Sequence, residues 1–181
     1  MSTVGKAFVT WEQFLELPDP DPGFHQELHD GEVVLVPPPR PIHLVVQMKL
    51  AKWLNEVAKD FGCGTQEFPY RPAENLQFWY ADVAYVPQQD MRAMRGDEYP
   101  IYAPPLIIEV LSPSNRPSKI KRQRTHAFAA GTQEFWVVET VERSIQVFYA
   151  NGQESLYRFN EPVPAAILPG HSVVLDTLLD A

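Results

Sequence analysis

Glu109 lies inside the run Leu106-Ile107-Ile108-Glu109-Val110-Leu111, with large aliphatics on both sides. The run follows Pro104-Pro105 and precedes Pro113, the pattern of a short strand covered on both faces. An ionised carboxylate there is costly unless a cation or hydrogen-bond donors meet it, so Glu109 is read as placed for chemistry. The competing reading is a glutamate at a strand edge, or one paired with a core arginine. Asp82 sits similarly in Ala81-Asp82-Val83-Ala84-Tyr85-Val86. Alone it would pass for a turn or cap residue. On a strand adjacent to that of Glu109, it makes a pair of carboxylates able to share one hard cation. Mg²⁺ or Mn²⁺ takes one or two carboxylates and keeps waters for exchange with substrate. Such an ion acidifies a bound water and offsets charge on a phosphoryl group.

A basic stretch follows the Glu109 strand. Arg116, Lys119, Lys121, Arg122 and Arg124 place five of the chain's 15 basic residues within nine positions, with no acid among them. Such a run is often only a solvated helix face. Residues three and four apart share a face, so Ile120, Gln123, Ala127 and Ala130 form one stripe that packs on a sheet. Gln123 is its polar member and points towards the strand end, with Lys119 one turn earlier. Lys121, Arg122 and Arg124 spread over flanking faces, where they can meet phosphates. An acid pair and a cationic helix converging on one sheet end suit hydrolysis of a phosphodiester in nucleic acid.

The elements that must position these groups are legible from patterning. Thr10 and Gln13 match a capping box, Asp30-Gly31 a hairpin turn between strands 24–28 and 32–36, and Asn151-Gly152 a second hairpin between 144–149 and 154–159. Ile42, Val46, Leu50, Trp53, Leu54, Val57 and Phe61 predict a long helix over 42–61, ended by Gly62 and Gly64. Strands are expected at 65–68, 82–86, 106–111 and 134–139, and the basic helix over 117–130. Trp53, Phe135 and Trp136 fit core positions. His25, His29, His126 and His171 show no ligand spacing. The prediction is an α/β fold with a mixed central β-sheet flanked by helices, in one domain spanning residues 1–181. The net charge of -8 excludes a general nucleic-acid coat but not a local basic groove. A single cysteine, Cys63, excludes an internal disulfide framework and a cysteine-based zinc site within one chain. No apolar stretch approaches the roughly 20 residues that cross a bilayer, and nothing reads as a secretory signal, so no membrane partner and a cytoplasmic location are expected.

The chain resembles the Uma-type (Uma two) restriction endonuclease family of the PD-(D/E)XK nuclease superfamily over about residues 14–179. The resemblance rests on Glu27-Leu28-His29-Asp30-Gly31-Glu32, His43 opening the long helix, Ala81 to Val86, and Pro105 to Ser114. It continues in Gly131-Thr132-Gln133-Glu134-Phe135-Trp136-Val137-Val138 and Leu168-Pro169-Gly170. It implies a restriction-endonuclease-like core, with Asp82 and Glu109 as the motif acids. The superfamily lysine two residues after the second acid is Leu111 here. Family members look to carry it on the following helix, eight residues before the glycine, which is Gln123 in this chain. Gln123 can orient water or a phosphate oxygen but brings no positive charge; Lys119 or Lys121 would supply it. Ala81 stands where the family has proline. Glu27 and His43 resemble further active-site residues, Glu27 as a metal ligand and His43 as a contact to phosphate or to an acid.

These readings lead to a Mg²⁺- or Mn²⁺-dependent DNA endonuclease. Asp82, Glu109 and Glu27 are the expected metal ligands, and Gln123, Lys119, Lys121 and His43 complete the catalytic set. DNA is the expected partner, held by Arg116, Lys119, Lys121, Arg122 and Arg124. A homodimer is expected because cutting both strands of a duplex takes two sites. The alternative, favoured by Gln123, is a nuclease-fold DNA-binding or scaffold protein that has lost turnover. A plain oligomeric interaction domain is a third, weaker reading.

Overall fold

The computed structural model describes residues 8–94, 96–111 and 117–180. Arg116 and the Ser112-Pro113-Ser114 piece of the family motif lie outside them. The capping box forms as the residue types dictate: Thr10 accepts from the Gln13 amide and Gln13 returns the bond to Thr10, opening α1 (Trp11–Leu15). The first hairpin, β1 (His25–His29) and β2 (Glu32–Val36), turns where Asp30 and Gly31 both adopt positive φ, as a two-residue turn of this hand requires.

Helix α2 (Pro41–Val57) starts on a proline and buries Val46, Gln47, Leu50, Ala51, Trp53 and Leu54. Its apolar stripe is shorter than the sequence periodicity predicts. Ile42 and Phe61 are both more than half exposed, and Phe61 lies beyond the helix end. Strand β3 (Gly62–Tyr70) runs directly beneath α2. A Cβ on Gly64 would fall 2.6 Å from the Ala51 carbonyl oxygen, so only glycine lets the strand come this close to the helix.

Next come β4 (Gln77–Pro87), α3 (Gln88–Ala93), β5 (Leu106–Val110), α4 (Pro117–Ala129), β6 (Glu134–Glu139), β7 (Ser144–Tyr149) and β8 (Glu154–Arg158). A small ribbon of β9 (Val163–Pro164) and β10 (Ser172–Val173) and a last helix, α5 (Leu175–Asp180), complete the chain. Eight strands form one sheet in the order β2-β1-β4-β5-β6-β7-β8, with β3 also paired to β4. Among the strands of the described residues, only β5 and β6 run parallel, and α4 is the crossover that such a pair needs. The sheet is therefore mixed, as expected, and mostly antiparallel. Its two faces are covered separately. Val46, Leu50 and Trp53 of α2, with Leu175 of α5, pack over Val83, Leu106, Ile108 and Trp136. Ile120 and Ala127 of α4 pack over Ala84, Ile107 and Phe135 on the other face. Trp53 and Trp136 sit 6.2 Å apart between ring centroids, in the core as predicted. Three elements escaped the sequence reading, α3, the β9–β10 ribbon and α5, because two to six residues carry no full period of either kind.

Candidate active site

The site grows from a gap in the sheet. Two strands share one edge of the long strand β4. Strand β1 pairs with it at Gln77 and Phe78, and β5 only from Val83 onwards. Between them, residues 79–82 have no ladder partner on that edge, yet buried backbone groups must be satisfied. Side chains do this. Glu27 accepts from the Tyr80 amide at 3.1 Å, Gln123 Nε2 donates to the Tyr80 carbonyl at 3.3 Å, and Glu109 accepts from the Asp82 amide at 3.4 Å. Face alternation along β4 also slips here. Strict alternation would put Trp79, Ala81, Val83 and Tyr85 on one face, but Trp79 and Ala81 pack with Ala84 and Val86. The slip falls at Asp82.

Asp82 and Glu109 are brought together by this distortion. Asp82 Oδ2 accepts from the Val110 amide at 2.7 Å, while the Asp82 amide donates to Glu109, so each acid is tied to the other's strand. Gln123 Nε2 also donates to Glu109 Oε1 at 2.9 Å. Burial, followed by the negative charge of Asp82, holds the Glu109 carboxyl well above the usual carboxylate range. Lys119 is the cation that acts against this rise. The Tyr70 hydroxyl and Gln123 Oε1 are both buried beside these groups. Burial and then Glu109 push the phenol upwards.

Helix α2 supplies the opposite wall. His43 Nε2 lies 2.9 Å from Asp82 Oδ2, at ion-pair distance. Burial pulls this imidazole down, yet Asp82 and then Glu67 outweigh burial, and its pKa is raised. One turn further along, Gln47 Nε2 reaches both Glu67 Oε1 at 2.5 Å and Asp82 Oδ1 at 3.1 Å. Sequence reading missed Gln47 and Glu67. Gln47 carries a signal in hindsight: it stands four residues after His43 and beside Val46 on the stripe that faces the sheet. Glu67 carries none, because a charged residue in a strand beside Gln66 reads as solvent-facing.

Glu27 and the basic helix have a different arrangement from the expected one. Glu27 is almost wholly buried and accepts from Lys119 Nζ at 2.9 Å, besides contacting His29 Nε2 at 2.8 Å. Burial works against its charge, but His29 and Lys119 outweigh it and lower its pKa. His29 stacks on Trp79 at 3.6 Å and is pulled down chiefly by burial. Arg122 and His126 both reach Asp30 in the hairpin turn, at 3.1 and 3.3 Å. Arg124 lies over the Phe148 ring, 3.4 Å from its centroid. Lys119 and Arg122 are thus paired with the chain's own acids, and Arg124 packs on an aromatic ring. Lys121, exposed, is the one cation of α4 with no side-chain partner among the described residues.

Of the predicted site residues, the fold thus gathers Asp82, Glu109, Gln123 and His43, with Glu27 and Lys119 as a pair at the neighbouring backbone position. Lys121, Arg122 and Arg124 stand apart. Among the described residues no group of three or more His, Cys, Asp or Glu side chains has the spacing to hold a metal ion, so Glu27 does not close a three-acid cluster with Asp82 and Glu109. The two remaining acids still suit a hard cation. Their oxygens are the donors Mg²⁺ and Mn²⁺ prefer, and two protein carboxylates with water elsewhere is a usual Mg²⁺ set. The mutual repulsion that raises Glu109 is what such a charge would relieve.

The fold is a mixed sheet with helices on both faces, and Asp82 and Glu109 meet where β4 leaves its ladder beside β5. The chain belongs to the Uma-type family, described as "Putative restriction endonuclease", whose model matches residues 11–177. Its fold is similar to that of a "putative nuclease" from Anabaena variabilis ATCC 29413, known from a crystal structure. The two chains are 21% identical, with a TM-score of 0.80 over 95% of this chain and 98% of that one. At this identity the likeness is one of fold. No curated protein matches the chain. Among the described residues, no helix is long and apolar enough to cross a membrane.

Proposed function

We propose that the protein is an endonuclease that hydrolyses DNA phosphodiester bonds with the help of Mg²⁺ or Mn²⁺. The observation that carries this reading is the Asp82–Glu109 pair, cross-tied through the Asp82 amide and the Val110 amide at the gap in the sheet. Asp82 and Glu109 would hold the ion. When bound, it would acidify a water and offset charge on the scissile phosphate. Gln123 fixes the Glu109 carboxylate through Nε2. Lys119 supplies the positive charge that Gln123 lacks: it sits on Glu27 and tempers the field around Glu109. In this reading Glu27 acts by positioning Lys119. His43, with Nε2 2.9 Å from Asp82 Oδ2, would orient that acid. Lys121 offers a phosphate contact at the rim, with Arg116, Arg122 and Arg124 secondary. A homodimer would bring the second site that duplex cleavage needs.

The second reading is a DNA-binding or scaffold protein that keeps the fold without turnover. It is favoured by Gln123, a neutral amide touching Glu109 where the family pattern calls for lysine. Plasmid nicking in Mg²⁺ or Mn²⁺ separates the two. The nuclease reading expects wild type to relax supercoiled plasmid at least a hundredfold faster than Glu109→Ala. Equal rates for wild type and Glu109→Ala, with metal and DNA both bound, would sink it in favour of the second.

A further inference from the structure

Strand β3 ends on Tyr70 and runs into Arg71, whose carbonyl accepts from the Tyr102 amide at 2.8 Å. Bridges from Arg71 to Ile101 and Tyr102 hold the segment before β5 against this strand end. A cavity of about 170 Å³ lies there, with Phe68, Tyr70, Arg71, Glu98, Tyr99 and Tyr102 among the residues that line it. Most of these side chains are aromatic rings. Phe68 and Tyr102 meet edge to face at 6.4 Å, and Tyr99 remains 38% exposed. The volume is well below the roughly 300–1,000 Å³ of pockets that enclose larger ligands, so it suits a single ring system.

Arg71 adds a polar demand. Its guanidinium lies over the Trp11 ring, 4.3 Å from the centroid, and Nη2 donates to the Glu74 carbonyl. Nε is buried and has no hydrogen-bond partner among the described residues. A buried donor left without an acceptor is costly, so this group points to an acceptor that arrives with a ligand. Glu98, exposed on the lining, is an acceptor for N–H groups. A nucleobase meets all of these: flat faces for the rings, ring-nitrogen or carbonyl acceptors for a guanidinium, and amino donors for a carboxylate. Its place fits as well. Tyr70 lines the cavity and is buried where the Glu109 charge acts on its hydroxyl, so the cavity and the acid pair share a wall. We propose that the cavity receives one unstacked base of the DNA strand being cut, held against the aromatic rings with Arg71 Nε donating to the base edge. The proposal rests on the reading of the chain as a DNA nuclease.

Binding of short single-stranded DNA to the full chain, in chelator and low salt and followed by fluorescence anisotropy, tests it. The comparison is an oligomer of the same length in which every nucleotide is abasic, so that the phosphates are unchanged. Wild type should bind the normal oligomer at least tenfold more tightly. Tyr99→Leu and Arg71→Met, each checked for folding by circular dichroism, should each lose most of that ratio. Lys121→Ala should weaken both oligomers alike and keep the ratio. Free deoxynucleoside monophosphates should compete at least a hundredfold less well than the oligomer; equal competition would assign the cavity to a free nucleotide and overturn the proposal. An unchanged ratio in a folded Tyr99→Leu also overturns it, and if that variant fails to fold, an unchanged ratio in Arg71→Met does so equally. Equal binding of the two oligomers by a wild type that still nicks plasmid refutes the base site and leaves the nuclease reading standing. A wild type that binds neither oligomer and nicks no plasmid sinks both.

Discussion

Glu109 performs two tasks at once, and its protonation separates them. It caps the Asp82 amide in the sheet gap, and it stands close enough to Asp82 that burial and repulsion raise its pKa far above the ordinary value near 4.5. A carboxyl raised on folding adds stability that is fully present below that ordinary value and is lost as pH rises through the folded one. At neutral pH, without metal, much of that stability is therefore lost, because the unfolded chain ionises this carboxyl freely and the folded one does not. Glu109→Gln should raise the melting temperature of the chelator-treated protein by about 2–4 °C, the equivalent of about 1 kcal/mol at this chain length. The same variant should lose the melting shift that Mn²⁺ gives wild type. A lower melting temperature in Glu109→Gln would mean that the charge is stabilised by something other than an ion. Metal must also displace the Glu109 proton. Mn²⁺ affinity should rise with pH until it passes the raised folded pKa, by up to about tenfold per unit, with proton release seen in calorimetry in buffers of different ionisation enthalpy. A pH-independent affinity would exclude Glu109 as a ligand.

At the scale of elements, helix α4 is an anchor as much as a charged surface. Lys119–Glu27 and Arg122–Asp30 fasten it to the first hairpin, and the Glu27 end is buried. Removing one partner of a buried pair leaves the other charge without compensation. Lys119→Met should cost about 1–3 kcal/mol in urea unfolding, and adding Glu27→Gln should recover much of it. Additive losses would show that the pair is not coupled. This anchoring also marks where sequence reading stops. Strands and helices with a full period, such as α2, β5 and the Asn151-Gly152 hairpin, were legible. Asp82 and Glu109 were legible because a carboxylate among aliphatics breaks a pattern. The gap in the β4 ladder was not, since it arises from two strands sharing one edge, which no local pattern records. Nor was the pairing of Lys119 and Arg122, because Glu27 and Asp30 lie some 90 residues away in sequence from their partners. The turn at Asp30 looked like turn chemistry alone.

For the whole molecule, the net charge of -8 and the self-paired basic helix predict modest, salt-sensitive DNA affinity. Lys121, without a side-chain partner among the described residues, should matter most: Lys121→Ala should lower the slope of log affinity against log salt by about one, and Arg122→Ala by less. Equal effects from both would mean that Arg122 leaves Asp30 when DNA binds. The family and the fold set the class, and the cross-tied acids at the sheet gap carry the chemistry proposed for it. That chemistry depends on one physical claim, that Asp82 and Glu109 together hold a hard divalent cation. Anomalous difference density in crystals soaked with Mn²⁺ tests it most directly. The account predicts a strong peak within coordinating distance of both carboxylates. Crystals that diffract well in saturating Mn²⁺ with no peak there, and with Glu109 still bonded to Gln123 and the Asp82 amide, would contradict it.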